Sequence, residues 1–188
     1  MFALFNSMSN LYKYKDLKLG IVILCPSLNI GHLRNTVIST DTYYPSVKTT
    51  IVLPDNCNTI DLETSSKLKQ TYKAGRTIAS MINCGMKHTL CDEWNFIIFS
   101  NGWMRSKVDI KYSYFIENEK DILFPITNHK NINFADVDIN GLLIQQKTFE
   151  HIGDFPDMEN LYLSKLIWSS KAILKGCKFK GVVGAKIF

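Results

Sequence analysis

The sequence has no apolar run as long as the roughly 20 residues that a membrane-spanning helix needs. The apolar stretch at residues 1–5 is also too short for the core of a signal peptide, and we expect a cytoplasmic protein with no transmembrane segment. No repeat, low-complexity tract or linker interrupts the 188 residues. We therefore predict a single domain, in which a lead-in over 1–17 precedes two halves, 18–104 and 105–188.

Signatures of disulfide-rich and zinc-binding proteins are missing as well. The five cysteines form no Cys-x-x-Cys pair and their number is odd, which indicates reduced and mostly buried thiols. The histidines show no metal-ligand spacing. The net charge of +5 permits an anionic ligand, but no recognisable nucleic-acid-binding motif accompanies it, so we expect no nucleic-acid partner.

Apolar runs of strand length alternate with helical periodicities in the first half of the chain. Buried strands are predicted over 19–25, 47–53 and 96–99, because the first is a continuous apolar run and all three end at proline or small polar residues. Helices are predicted over 32–40, with Leu33, Val37 and Ile38 facing inward, and over 65–87. In the second half we predict strands over 110–115, 122–126, 138–145 and 179–187, and helices over 147–151 and 158–174.

This alternation is typical of an α/β fold with a mostly parallel central sheet flanked by helices. In such a fold the ligand crevice lies just beyond the carboxyl ends of the strands. The third apolar run is followed at once by Ser100, Asn101 and Gly102. We expect the chemistry of the protein at or beside these three residues.

Five short blocks appear in an order and at spacings that resemble a known family. They are residues 21–29 (IVILCPSLN), 44–56 with Tyr-Pro and IVLPDN, 82–86 (INCGM), 94–103 (WNFIIFSNGW) and 141–155, which contains FEHIGDF. Together they resemble the nucleotide-sugar-binding domain of the inverting family 2 glycosyltransferases, which has the GT-A fold, a Rossmann-like sheet. The resemblance implies a nucleotide-binding half over 18–104 and an acceptor-side half over 105–188.

The resemblance implies a nucleoside-diphosphate sugar as donor, transfer with inversion, and a glycan, lipid-linked or protein acceptor that the sequence does not name. Asp55 would hold the nucleoside, and Asn83 either contacts the ligand or belongs to a helix C-cap formed through Gly85. The residues that the resemblance places around the nucleotide sugar are Pro26, Ser27, Leu28, Asn29, Asp55, Asn83, Ser100, Asn101 and Gly102.

The metal site of the family has no counterpart at the expected position. In the family an aspartate pair holds Mn²⁺ or Mg²⁺ against the diphosphate, since hard cations prefer carboxylate oxygens. Here Ser100, Asn101 and Gly102 stand in that place. Asp136 and Asp138 repeat the Asp-x-Asp letters ahead of another strand, either as metal ligands or as solvated carboxylates. Arg76 could replace the missing cation charge or could belong to a solvated face.

Two carboxylates are candidates for the catalytic base that the family places after its glycine-rich block. Asp157 or Glu159 could deprotonate the acceptor hydroxyl, or both could serve only to cap the last helix. The two hypotheses for the whole protein are an inverting glycosyltransferase and a non-catalytic GT-A module for binding or assembly.

The end of the chain is basic. Residues 161–188 contain six lysines and no acidic residue. Interleaved with apolar side chains, these lysines predict either an amphipathic surface for phospholipid or a lipid-linked acceptor, or a core-packed helix with a solvated basic face.

Overall fold

The computed structural model describes residues 17–27, 29–57, 69–89, 91–102, 112, 115–126 and 137–183. Seven strands lie in this part of the chain: β1 (Leu19–Leu24), β2 (Lys48–Pro54), β3 (Lys69–Ala74), β4 (Trp94–Phe99), β5 (Asp121–Ile126), β6 (Leu142–Gln145) and β7 (Lys178–Val183). Its four principal helices are α1 (Ile30–Tyr43), α2 (Ile78–Lys87), α3 (Gln146–Ile152) and α4 (Leu161–Leu174). None of the helices in the described ranges is long and apolar enough to cross a membrane.

All seven strands form one sheet in the order β3-β2-β1-β4-β6-β5-β7. The strands β1 to β4 run parallel to one another, and β7 is parallel to β5. Only β6 runs against its two neighbours, β4 and β5. The predicted mostly parallel sheet flanked by helices is therefore confirmed.

Both faces of the sheet are covered, and nearly every residue of the central strands β1, β2 and β4 is buried. In β1, Ile21 and Ile23 pack in a core with Leu33 and Val37 of α1. Val22, also in β1, faces the other way and packs in a second core that includes residues of α2, α3 and α4. The sheet is thus the middle of three layers, as expected for parallel strands buried on two sides.

Gly85 lets α2 approach the sheet closely. A Cβ atom at this position would lie 2.4 Å from Cγ1 of Val22 and 3.2 Å from Cγ2 of Val52. The helix continues past Gly85 to Lys87, and His88 is its C-cap residue. The interpretation of Gly85 as part of a C-cap is therefore wrong, and the glycine serves helix–sheet packing instead.

The long helix predicted over 65–87 is wrong in its first part. Residues 69–74 form β3, a strand at the edge of the sheet whose side chains are mostly exposed. The polar alternation of an edge strand is easily mistaken for the outer face of a helix, and α2 begins only after Gly75, with Thr77 as its N-cap. Ile38 was expected to face inward from α1, but it is 55% exposed.

The other predicted elements are present with shifted ends. The strand over 138–145 is shorter because a turn with Gly141 at φ 106° precedes β6. The last helix begins at Leu161. The strand predicted over 110–115 is an exception: the N–H of Phe115 donates to the carbonyl of Tyr112 in a turn, so the two described residues of this range are not in a strand. Its other residues and residues 1–16 of the lead-in lie outside the described residues.

Candidate functional site

The carboxyl ends of β1, β2 and β4 are held side by side by backbone hydrogen bonds that continue past the strands. The N–H of Cys25 donates to the carbonyl of Val52 at 2.9 Å, and the N–H of Ser100 donates to the carbonyl of Leu24 at 2.7 Å. With strands about 4.8 Å apart, the edge from β3 to β4 is about 14 Å wide. We call this the carboxyl edge.

The segment 100–102 is fixed to α1 by one threonine. The Thr36 hydroxyl lies 2.6 Å from the carbonyl oxygen of Ser100 and 2.8 Å from that of Gly102. Thr36, Ser100 and Gly102 are all buried, whereas Asn101 between them is exposed. Thr36 therefore holds the backbone of this segment from its buried side, and the Asn101 side chain is the part that reaches solvent. Sequence reasoning missed Thr36, although its place between inward-facing Leu33 and Val37 was a signal.

The loop after β1 exposes Pro26 and Ser27 at the same edge. The Asn29 side chain accepts from the N–H of His32 at 3.1 Å and thereby caps α1. Asn29 is thus engaged in the helix N-cap, whereas Leu28 lies outside the described residues. Cys25, which precedes this loop, is buried, and burial raises the pKa of its thiol, so the group stays neutral at the edge.

Charged groups from β2 and β3 meet at the carboxyl edge. The side chain of Asp55, which follows β2, lies 3.8 Å from Arg76, which follows β3, and both are more than half exposed. Thr77, the next residue, is the N-cap of α2, and its hydroxyl also donates to Oδ1 of Asp157. Asp55, Arg76 and Asp157 therefore converge on the start of α2. Thr77, which joins them, was not identified from the sequence.

The N-cap of α4 is Asn160, whose side chain accepts from the N–H of Leu163 at 3.2 Å. The interpretation of Asp157 and Glu159 as the caps of this helix is therefore wrong. Asp157 contacts α2 instead, and Glu159 is exposed just ahead of α4.

The Asn83 side chain is bonded to the backbone of Phe155 and is not free to contact a ligand at the carboxyl edge. Its amide donates to the carbonyl of Phe155 at 2.8 Å and accepts from the N–H of the same residue at 2.9 Å. This two-bond contact ties α2 to the segment that precedes α4. The amide thus satisfies the backbone of Phe155, and its assignment to the nucleotide sugar gains no support from this position.

Asp138 lies closer to β4 than its place in the sequence indicated. Its Oδ1 accepts from the N–H of Asn140 at 2.9 Å, and the Asn140 side chain accepts from the N–H of Phe99 at 3.0 Å. The exposed Asp138 carboxylate is therefore near the end of β4, beside the segment 100–102. Asp136 lies outside the described residues.

The described residues do not fit a metal site of the kind found with an aspartate pair. They contain no group of three His, Cys, Asp or Glu side chains that could hold an ion. Near the segment 100–102 they supply one carboxylate, that of Asp138, which already accepts a backbone hydrogen bond. We therefore assign no step of the chemistry to a metal ion.

A cavity of about 430 Å³ lies between α2 and α3, lined by residues that include Cys84, Lys87, Phe149 and Glu150. Gln146, which also lines it, donates its backbone N–H to the carbonyl of Glu93 just before β4. The cavity is thus near the amino ends of the parallel strands, about 20 Å from the segment 100–102 at the strand rise of 3.3 Å per residue. Of the described residues that the resemblance places around the nucleotide sugar, Asn83 alone lines this cavity, so the cavity is not the nucleotide site that the sequence predicts.

The fold is found in proteins of known structure. A GalNAc-T7 crystallised with UDP, GalNAc and Mn²⁺ is similar with a TM-score of 0.62 and 11% identity, over 87% of this chain and 41% of that one. The 2-C-methyl-D-erythritol 4-phosphate cytidylyltransferase of Francisella tularensis is similar with a TM-score of 0.55 and 12% identity, over 87% and 90% of the two chains. The chain has a GT-A-like α/β fold.

The GT-A-like fold that the sequence resemblance implies is therefore confirmed. At 11–12% identity these comparisons show the fold alone. The chain spans about two fifths of the GalNAc-T7 chain to which it is similar. No protein-family model matches the sequence, and no curated protein matches it.

Proposed function

We propose that the protein binds a nucleoside-diphosphate sugar at the carboxyl edge and transfers the sugar with inversion to an acceptor. The observation that supports this proposal is the convergence of Asp55, Arg76 and Asp157 on the start of α2, at the edge where open α/β sheets bind their ligands. In this proposal the Asp55 carboxylate binds the ribose, the Arg76 guanidinium group binds the diphosphate, and the Asp157 carboxylate accepts a proton.

Arg76 is the residue that we assign to the diphosphate. Its contact with Asp55 is long, at 3.8 Å, and exposed on both sides, so it stabilises the free protein little. A guanidinium group binds phosphate oxygens with paired hydrogen bonds, which are stronger than such an exposed pair. When the ligand binds, Arg76 leaves the Asp55 carboxylate and pairs with the diphosphate, and Asp55 then becomes available to the nucleoside.

Asp157 is the residue that we assign to the acceptor hydroxyl. The hydroxyl attacks the anomeric carbon, its proton passes to the Asp157 carboxylate, and the bond from the anomeric carbon to the diphosphate oxygen breaks with the nucleoside diphosphate as leaving group. The hydrogen bond from Thr77 holds the carboxylate at the N-terminus of α2, and Arg76 directly precedes Thr77 in the chain. Glu159, two residues further on, is the alternative base.

The second candidate function is a non-catalytic module that binds or assembles through the same scaffold. The specific observation in its favour is the segment 100–102, which presents a buried serine, an exposed asparagine and a glycine where the related enzymes carry metal-binding aspartates. A shared fold does not by itself imply a shared activity.

Ligand-dependent thermal stability tests the binding step. UDP, GDP, CDP, dTDP and their sugars are each added with and without Mn²⁺. A ligand at 100 times its dissociation constant adds about 2.7 kcal/mol to the free energy of unfolding, which corresponds to about 5–10 °C in Tm for a chain of this size. Arg76→Gln should abolish the shift, whereas Lys87→Gln at the far end of α2 should keep it. No shift with any ligand would contradict the proposal and favour the module.

Turnover of the bound donor separates the two functions. The wild-type protein should hydrolyse its donor slowly even without an acceptor, and Asp157→Asn should lose this hydrolysis while keeping the thermal shift. Glu159→Gln is the matched control and should retain both. Binding without any hydrolysis would identify a module, and loss of turnover only in Glu159→Gln would transfer the role of base to that residue.

A further inference from the structure

The outer face of α4 is apolar and is exposed in the part of the chain that the structure describes. Trp168 on the inner face is buried and donates its indole N–H to the carbonyl of Gly153 at 2.8 Å. On the opposite face, six large side chains are between 40% and 87% exposed: Tyr162, Leu163, Leu166, Ile167, Ile173 and Leu174. An apolar helix face ordinarily packs against a partner.

The exposed side chains form one continuous stripe. With 3.6 residues per turn they fall within an arc of roughly 140° centred opposite Trp168. Ser170 is the one polar residue within the arc. Contiguous apolar surface of this kind is typical of an interaction site rather than of scattered surface leucines.

Lysines border the stripe and concentrate at one end. Lys165 and Lys171 lie at its two sides, but the ammonium group of the half-buried Lys165 donates to the carbonyl of Val137 at 2.7 Å. Lys171, Lys175 and Lys178 are exposed around the C-terminal end of α4, although the Lys175 ammonium group also donates to the carbonyl of His151. Leu174, which lies among these three, is the most exposed member of the stripe at 87%. The nearest acidic residues in sequence, Asp157 and Glu159, precede the helix at its other end.

We propose that this outer face of α4, led by its C-terminal end, binds the surface of an anionic phospholipid membrane. An apolar stripe bordered by lysines matches the boundary between acyl chains and anionic headgroups, where each lysine adds roughly fivefold in affinity. Contact between two copies through the same face would bring lysines against lysines. The helix of 14 residues is about 21 Å long and lies on the membrane rather than across it.

Vesicle flotation tests the proposal with the full chain. Vesicles of phosphatidylcholine alone are compared with vesicles of two parts phosphatidylcholine to one part phosphatidylserine. We expect binding to the mixed vesicles, weaker binding to phosphatidylcholine alone, and release by salt, since surface charge is screened within a Debye length. Leu166→Ser with Leu174→Ser should weaken the binding at least tenfold, and Lys171→Gln with Lys178→Gln should weaken it about tenfold or more and reduce its salt dependence.

Ile38→Ser is the matched control, because Ile38 is a 55% exposed apolar residue of α1 on the other side of the sheet. It should leave vesicle binding unchanged. All altered positions are exposed, and an unchanged Tm verifies that each variant is folded. No binding to either kind of vesicle, or equal loss in Ile38→Ser and the leucine variant, would overturn the proposal. A dimer in light scattering that the leucine variant dissociates would also overturn it, since the face would then join two copies.

Discussion

Replacing Thr36 with valine tests whether the segment 100–102 depends on α1. The substitution keeps the shape of the side chain and the β-branched character that affects helix propensity, but it removes the hydroxyl. The carbonyls of Ser100 and Gly102, 2.6 and 2.8 Å from that hydroxyl, would face a methyl group inside the protein. A buried polar group that loses its partner costs about 1–3 kcal/mol, and we expect a loss of stability in this range.

Thr40 provides a control on the same helix. It is as fully buried as Thr36, and its hydroxyl donates to the carbonyl of Thr36, one turn earlier in the helix. Inside a helix the carbonyl of Thr36 is also the acceptor for a backbone N–H one turn later, so Thr40→Val leaves no backbone group without a partner. We expect Thr40→Val to cost less than about 1 kcal/mol.

Urea denaturation measures both variants against the wild-type protein, and equal slopes are required for the comparison. Thr36→Ser should keep the hydrogen bond and lose only about 1 kcal/mol for one buried methyl group. For a ligand found in the thermal panel, Thr36→Val should also weaken binding, whereas Thr40→Val should not. Equal stabilities of Thr36→Val and Thr40→Val would refute the role of Thr36 in positioning the segment.

Three other predictions concern the scaffold. Gly85→Ala should destabilise the protein by about 1 kcal/mol, because crowding against Val22 outweighs the gain in helix propensity, and denaturation should show a smaller cost in a Val22→Ala background. Lys180→Met should cost about 3–5 kcal/mol by leaving the fully buried Asp121 carboxylate without its cation, whereas Glu117→Gln, which alters the exposed partner of the same lysine, should cost less than about 1 kcal/mol. Burial raises the pKa of the Tyr112 hydroxyl far above its usual range. As the pH rises above about 10, the unfolded state therefore loses this proton first, and the stability of the fold should fall. Denaturation at alkaline pH should show a smaller fall for Tyr112→Phe.

The sequence predicted those elements whose burial is uniform. β1 is a continuous apolar run, and β2 and β4 contain shorter apolar runs, because both faces of the central sheet are covered; such runs are visible without any knowledge of the neighbours. β3 was missed because an edge strand with exposed side chains carries no apolar run. Its Thr71 and Tyr72 favour a strand, but Tyr72 also fitted the helical spacing of the apolar residues that follow.

The candidate site was predicted residue by residue but not as an arrangement. The Asp157 carboxylate accepts a hydrogen bond from Thr77, which lies 80 residues earlier in the chain. Asp138 reaches β4 through Asn140 because β6 runs antiparallel to β4, so the turn that precedes β6 lies at the carboxyl edge. Contacts of this kind depend on strand order and direction, which hydrophobic patterns do not specify.

The same contacts bear on how a diphosphate could be held without an aspartate pair. At the end of β4 the segment 100–102 carries no aspartate pair, and its backbone is held by an uncharged threonine. The exposed cation nearest to the supposed nucleoside carboxylate is Arg76, which follows β3, two strands away from β1. If Arg76 neutralises the diphosphate, the ligand must lie toward β2 and β3 rather than over β4. The loss of binding in Arg76→Gln should then exceed the loss in Asn101→Ala, whereas a ligand centred on the segment 100–102 would give the reverse order.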